Sequence, residues 1–116
     1  MNEAQHQMEV SVSVDRTAAV VRVRGEVDLR SSPELREKLL NLLERPLKRV
    51  IIDLARVGYI DSSGVGTLVE LKRRLDRTDG RVVLVALQPR VRSVFEITRL
   101  DHFFAIVDTI DEAHKA

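Results

Sequence analysis

The chain has 116 residues, of which 44% are hydrophobic and 32% are charged, and it contains no cysteine. These values are typical of a globular domain, and they exclude a disulfide framework and a thiolate metal site. The net charge of +1 lacks the basic excess of a nucleic-acid-binding domain. Because no apolar run could cross a membrane and the polar residues 1–7 do not resemble a signal peptide, we expect a cytoplasmic protein without membrane insertion.

The first half of the chain predicts a β-hairpin followed by a helix. Valines alternate with serines over residues 10–14, which indicates a half-exposed strand. A polar turn at residues 15–17 leads to a second strand, residues 18–27. The segment SSPE, residues 31–34, is typical of a helix start with a hydroxyl cap and an early proline. The expected buried stripe of this helix is Leu35, Leu39, Leu42 and Leu43.

The second half alternates strands with helices. Residues 49–54 predict a short strand, and the apolar residues 82–87 are typical of a central strand covered on both faces. An apolar stripe predicts a helix from about Ser63 to about Arg77, which ends where Gly80 supplies a left-handed conformation. The stripe consists of Leu68, Leu71 and Leu75. The remaining expected elements are a third helix from Pro89, a last strand over residues 103–107 and a terminal helix over residues 109–116.

The resulting order, ββαβαβαβα, predicts an α/β fold. Strand–helix–strand units imply right-handed crossovers between parallel strands, whereas the first hairpin is antiparallel. We therefore expect one mixed sheet of about five strands packed with about four helices. Residues 1–116 are expected to form a single domain in which residues 1–7 are a disordered tail.

The stretch YIDSSGVGTL, residues 59–68, places two hydroxyls and two glycines at the start of the second helix. A capping turn, in which Asp61 or one of the serines caps the helix, explains one hydroxyl. It explains neither the second hydroxyl nor Gly66, which costs about 1 kcal/mol relative to alanine inside a helix. Small residues leave the helix start open to another protein, and a phosphate is tolerated there because free N–H groups face it.

The sequence contains no convincing catalytic, metal or cofactor site, and we expect a protein that is not an enzyme. The segment DSSG, residues 61–64, does not fit the nucleophile elbow G-x-S-x-G. Gly64 and Gly66 belong to neither of the nucleotide-binding motifs G-x-x-x-x-G-K-[ST] and G-x-G-x-x-G. The three histidines are scattered along the chain, so they indicate neither a metal site nor a catalytic triad.

Two stretches of the chain resemble a known family. YIDSSGVGTL is similar to the phosphorylation signature of the anti-sigma factor antagonists, which belong to the STAS domain family. The segment GEVD, residues 25–28, resembles the acid-bearing loop that follows the second strand in this family. The similarity extends in order from about Met8 to about Ile110. The resemblance therefore implies a STAS fold.

The resemblance also implies a partner switch. An unphosphorylated antagonist binds an anti-sigma factor that is also a serine kinase, and the sigma factor is released. The kinase then phosphorylates the antagonist from ATP, the complex dissociates, and a serine phosphatase resets the cycle. The family pattern assigns the phosphorylation to Ser62, with Ser63 as second choice. The implied partner-binding residues are Asp28, Asp61, Ser62, Ser63, Gly64, Val65 and Gly66.

Two alternatives remain open at the sequence level. A STAS domain can also serve as a constitutive scaffold or docking subunit of a stress-sensing or transport complex. A small-molecule or nucleotide binder is a weaker alternative that depends on Gly64 and Gly66 alone. The switch makes a geometric prediction, which is that Asp28 and Ser62 lie at the same end of the sheet. It also predicts that Asp28→Ala weakens kinase binding while thermal stability stays nearly unchanged.

Overall fold

A computed structural model describes residues 8–116; the expected tail, residues 1–7, lies outside the described part. The described part contains five strands and four helices in the predicted order. The strands are β1 (Met8–Asp15), β2 (Ala18–Val27), β3 (Arg49–Ile60), β4 (Arg81–Val85) and β5 (Ala105–Val107). The helices are α1 (Ser32–Leu42), α2 (Ser62–Asp76), α3 (Pro89–Ile97) and α4 (Ile110–Lys115).

The strands form one mixed sheet in the order β1-β2-β3-β4-β5. β1 is antiparallel to β2, and every later pair of neighbours is parallel. The hairpin turn between β1 and β2 has Arg16 in the left-handed region, at φ 59°. The predicted hairpin and crossover architecture is therefore confirmed. Because β2 and β3 are parallel, their carboxyl ends lie at the same end of the sheet.

The two faces of the sheet are covered unequally. Apolar side chains of α1, α2 and α3 share one buried cluster with one sheet face, and most of the predicted leucines belong to it. Leu43, which follows the last residue of α1, is only half-buried and packs against this cluster. On the opposite face, α4 packs Ala113 against Ile51, Val83 and Val85. Neighbouring residues of β4 thus enter different clusters, which confirms that this strand is covered on both faces.

Several strand boundaries differ from the prediction. β1 extends beyond residues 10–14 at both ends, from Met8 to Asp15. β3 continues six residues beyond residue 54, because β2 goes on pairing with it as far as the pair Val27 and Ile60, through two register shifts. β4 ends at Val85, since Ala86 has φ 60° and leaves the extended conformation. The last strand begins at Ala105; the preceding Phe104 packs instead edge-on against Phe95, with ring centroids 5.6 Å apart.

The left-handed residue after α2 is Asp79, at φ 61°, and the prediction that Gly80 would take this conformation is wrong. Gly80 is required for a different reason. A Cβ at this position would lie 2.6 Å from Leu75 Cδ2 and 3.3 Å from the carbonyl oxygen of Leu47. The glycine therefore permits a close approach between the chain after α2 and the core. None of the helices within residues 8–116 has the length and apolar character needed to span a membrane.

Candidate functional site

The candidate site forms where β2 and β3 end side by side. The backbone N–H of Asp61, the first residue after β3, donates to the carbonyl oxygen of Val27 at 3.1 Å. The backbone N–H of Leu29 donates to Asp61 Oδ2, also at 3.1 Å. These two hydrogen bonds join the loop after β2 to the start of α2. Asp28 and Ser62 therefore lie at the same end of the sheet, as expected.

Asp61 is the cap of α2, which decides between the alternatives that the sequence left open. Its backbone is extended, and its Oδ1 accepts hydrogen bonds from the backbone N–H groups of Ser63, at 2.9 Å, and Gly64, at 3.3 Å. The same oxygen also accepts a hydrogen bond from the Ser63 hydroxyl at 2.6 Å. The carboxylate thus satisfies two N–H groups of the first turn and also holds the side chain of Ser63.

The two serines have different surroundings. Ser62 is the first residue of α2 and is exposed to solvent, and no group within residues 8–116 is hydrogen-bonded to its hydroxyl. Ser63 is half-buried and donates its hydroxyl to Asp61. An incoming reagent can therefore reach the oxygen of Ser62 without breaking a hydrogen bond, whereas at Ser63 it must displace a short, charge-assisted one.

The other partner-binding residues predicted from the sequence fall into two groups. Gly64 and Val65 are buried and face the domain's own core. Gly66 is exposed, as is Ser62 one turn before it, while Asp28 and Asp61 are half-buried. The accessible part of the site is thus the outer face of the first turns of α2 together with the loop after β2.

The two glycines of α2 provide a stability test. A Cβ at Gly66 would have no atom within 4 Å, whereas a Cβ at Gly64 would lie 2.6 Å from Val27 Cγ1 and 2.8 Å from Ile60 Cγ1. We expect Gly66→Ala to raise the free energy of unfolding by about 1 kcal/mol, because alanine favours the helix. Gly64→Ala is expected to lower it by roughly 1–3 kcal/mol through overpacking. Urea unfolding of both variants measures these changes, and equal effects would contradict the different surroundings.

The loop after β2 is ordered by Asp28. Its Oδ1 accepts hydrogen bonds from the backbone N–H groups of Arg30, at 2.9 Å, and Ser31, at 3.1 Å. The Ser31 hydroxyl accepts from the backbone N–H of Asp28 at 3.0 Å and donates to the carbonyl oxygen of Glu26 at 2.8 Å. Ser31 therefore does not cap α1 with its side chain, contrary to the sequence-based expectation. The hydroxyl and the carboxylate close the loop on itself instead.

This geometry can be compared with known proteins. The model of the STAS domain family matches residues 8–113. The chain belongs to the STAS domain family. The STAS domain is 34% identical to the anti-sigma-B factor antagonist of Staphylococcus epidermidis over 80 residues, which are 69% of this chain and 74% of that protein.

Solved structures agree with this assignment. An anti-sigma factor antagonist from Mycobacterium paratuberculosis superposes on the STAS domain with a TM-score of 0.85, at 27% identity, covering 93% of this chain and 92% of the other. SpoIIAA in its unphosphorylated form superposes with a TM-score of 0.81, at 28% identity, covering 92% and 94%. SpoIIAA of Bacillus in its phosphorylated form superposes with a TM-score of 0.74, at the same identity, covering 92% and 97%.

Sequence reasoning missed one feature of the STAS domain site, the exposure of Leu29. This side chain is 75% exposed, although its backbone N–H is bonded to the cap of α2. The only signal in the sequence is an apolar residue between the polar residues Asp28 and Arg30. Within residues 8–116 there is no group of three or more histidine, cysteine, aspartate or glutamate side chains that could hold a metal ion.

Asp61 makes the stability of the STAS domain pH-dependent. The hydroxyl of Ser63 above all, followed by the backbone N–H groups of Gly64, Ser63 and Leu29, lowers the pKa of the Asp61 carboxyl below its usual range. Because the folded pKa is lower than the unfolded one, ionised Asp61 stabilises the fold at pH values above about 4. This contribution is lost as the pH falls through the lower, folded pKa.

The pH dependence is testable with Asp61→Asn, which keeps an acceptor oxygen but has no charge. Acidification from about pH 6 to about pH 3 is expected to lower the free energy of unfolding more in the wild type than in this variant. Urea unfolding at a series of pH values gives both curves. Parallel curves would contradict the assignment of the pH dependence to Asp61.

Proposed function

We propose that this STAS domain, acting as a single domain, is an anti-sigma factor antagonist switched by phosphorylation of Ser62. The unphosphorylated form binds an anti-sigma factor that is also a serine kinase, and phosphorylation releases it. The observation that carries the proposal is the exposed hydroxyl of Ser62, which has no hydrogen bond to any of residues 8–116, beside a serine that is held by Asp61. Ser63 is the second choice for the modification, and a cytoplasmic location follows because the proposed partners act there.

The names of related proteins support the proposal. A relative from Staphylococcus epidermidis is an anti-sigma-B factor antagonist, and the solved relatives include SpoIIAA in an unphosphorylated and a phosphorylated form. Both forms of SpoIIAA have the fold of this chain. A phosphorylation cycle on an intact STAS fold is therefore the reading that agrees best with this site.

The proposed modification transfers one phosphoryl group. The Ser62 oxygen attacks the γ-phosphorus of ATP, an oxygen–phosphorus bond forms, the bond to the leaving ADP breaks, and the hydroxyl proton passes to a base of the kinase. A serine phosphatase reverses the modification with water, which gives serine and inorganic phosphate. The STAS domain itself supplies no catalytic group, so the proposal describes a substrate and a binding partner rather than an enzyme.

The phosphate is expected to affect the complex more than the fold. At the start of α2 the added charge of about −1.5 to −2 is stabilised by the helix dipole and opposed by Asp61 and Asp28, so the net effect on folding stays within about 1–2 kcal/mol. Burial of that charge at an interface without a cationic partner costs several kcal/mol. About 2.8 kcal/mol already corresponds to a hundredfold loss of affinity.

Phosphopeptide mapping tests the proposal. Purified protein is incubated with ATP and each anti-sigma factor kinase of the source organism in turn, and the modified residue is identified by mass spectrometry. One kinase is expected to modify Ser62. Modification of Ser63 alone would move the switch to the second serine. Stable binding of a partner without modification of either serine would replace the switch by a constitutive scaffold or docking subunit.

A further inference from the structure

The side chain of Leu29 stands out among the apolar residues of this domain. It is 75% exposed, and only Ile97, at 80%, exceeds it among the large apolar side chains of residues 8–116. Leu29 lies in the loop after β2, and its own backbone N–H is bonded to Asp61 Oδ2. Asp61 is the residue directly before Ser62. The backbone that carries this exposed side chain is thus hydrogen-bonded to the residue next to the proposed phosphorylation site.

Hydrogen bonds order the backbone of the loop that carries Leu29. The backbone N–H of Asp28 donates to Ser31 Oγ, and that of Arg30 donates to Asp28 Oδ1. The N–H groups of Ser31 and Ser32 donate to the carbonyl oxygen of Asp28 at 3.1 Å and 2.8 Å. Five consecutive backbone N–H groups, those of residues 28–32, are therefore hydrogen-bonded. A partner that covers Leu29 does not have to order this loop, which lowers the entropic cost of binding.

We propose that Leu29 is the apolar anchor of the complex, inserted into a hydrophobic pocket of the anti-sigma factor kinase. This inference rests on the proposed function. The occupant is that kinase because the loop is continuous with the Ser62 site through Asp61. An exposed aliphatic side chain on a loop with an ordered backbone fits the apolar centre of a protein–protein interface.

The anchor also explains why one phosphate can release the partner. Ser62 follows the residue that is bonded to the Leu29 backbone, so a phosphate there lies next to the rim of the pocket. Insertion of Leu29 would remove water from that phosphate, and the loss of its hydration opposes binding. The contact that gives affinity in the unmodified form thus makes the complex sensitive to the charge on Ser62.

Three variants and the kinase found by phosphopeptide mapping test the anchor. Leu29→Ala is expected to weaken binding ten- to a hundredfold by calorimetric titration, whereas Leu29→Met, which keeps an apolar side chain, is expected to stay within about threefold of the wild type. Ile97→Ala is the matched control, because Ile97 is equally exposed but ends α3, which runs back towards the opposite end of the sheet. Its affinity is expected to be unchanged.

The outcomes separate the anchor from the switch. All three variants are expected to melt within about 2 °C of the wild type, because exposed side chains contribute little to stability. If Leu29→Ala binds as tightly as the wild type while the kinase still modifies Ser62, the anchor is overturned and the switch stands. If no anti-sigma factor kinase binds or modifies the wild type, both the proposed phosphorylation switch and the proposed role of Leu29 are contradicted.

Discussion

Ser62→Ala is expected to bind the anti-sigma factor kinase permanently and to accept no phosphate. The substitution removes the exposed oxygen that receives the phosphoryl group in the proposed switch, and it breaks no hydrogen bond within residues 8–116. Because Asp61 and not Ser62 caps α2, the free energy of unfolding is expected to change by no more than about 0.5 kcal/mol. Incubation with isotope-labelled ATP and the kinase measures the modification, and calorimetric titration measures the binding.

Ser63→Ala is the matched control for this experiment. It removes the hydroxyl that donates to Asp61 at 2.6 Å, but it leaves the Ser62 oxygen in place, so the variant is expected to remain a substrate. Ser62→Asp is expected to bind weakly with an intact fold, since one carboxylate reproduces only part of the charge of a phosphate. Normal labelling of Ser62→Ala together with unlabelled Ser63→Ala would assign the modification to the second serine.

Asp28→Ala is expected to weaken kinase binding and to destabilise the domain by roughly 1–3 kcal/mol, because Oδ1 of Asp28 accepts from two backbone N–H groups of its own loop. This replaces the sequence-based expectation of nearly unchanged stability. Urea unfolding measures the stability, and calorimetric titration with the kinase measures the affinity. If Asp28→Ala unfolds at the same urea concentration as the wild type, the loop does not depend on the carboxylate.

Asp28→Asn separates the two roles of this carboxylate. Asparagine keeps an oxygen at the Oδ1 position and loses only the negative charge, so its stability is expected to stay close to that of the wild type. Any loss of kinase affinity in Asp28→Asn measures the contribution of the negative charge to binding. The additional loss in Asp28→Ala measures the contribution of the ordered loop that carries Leu29. Equal affinities of the two variants would contradict a role of loop order in binding.

The elements that the sequence predicted well are those with local apolar periodicity. The stripe of Leu68, Leu71 and Leu75 predicts α2 to within about one residue at each end, because helical burial repeats within the segment itself. The extension of β3 to Ile60 was not predictable in this way. It depends on pairing with β2 through two register shifts, which are contacts between distant segments. The close approach of Gly80 to Leu75 and Leu47 after α2 was missed for a related reason, since Leu47 lies far away in the sequence.

The candidate site was predicted to a similar extent. The residues DSSG indicated a helix start with a hydroxyl, and the family resemblance favoured Ser62. The difference between Ser62 and Ser63 follows only from the position of the Asp61 carboxylate, which the sequence does not give. Leu29 was missed because the hydrogen bond that places its backbone beside the site joins it to Asp61, 32 positions later in the chain. Local patterns thus predict the helix start, whereas the position of the Asp61 carboxylate distinguishes the two serines and a contact across 32 positions places Leu29 beside them.

The affinity of one kinase for the two forms of this protein tests the central claim most directly. Protein phosphorylated at Ser62 is separated from the unmodified protein, and both are titrated into the same kinase by calorimetry. We expect the phosphorylated form to bind at least a hundredfold more weakly, with the same circular dichroism spectrum, because the phosphate opposes the interface and not the fold. Equal affinities of the two forms would contradict a switch at Ser62.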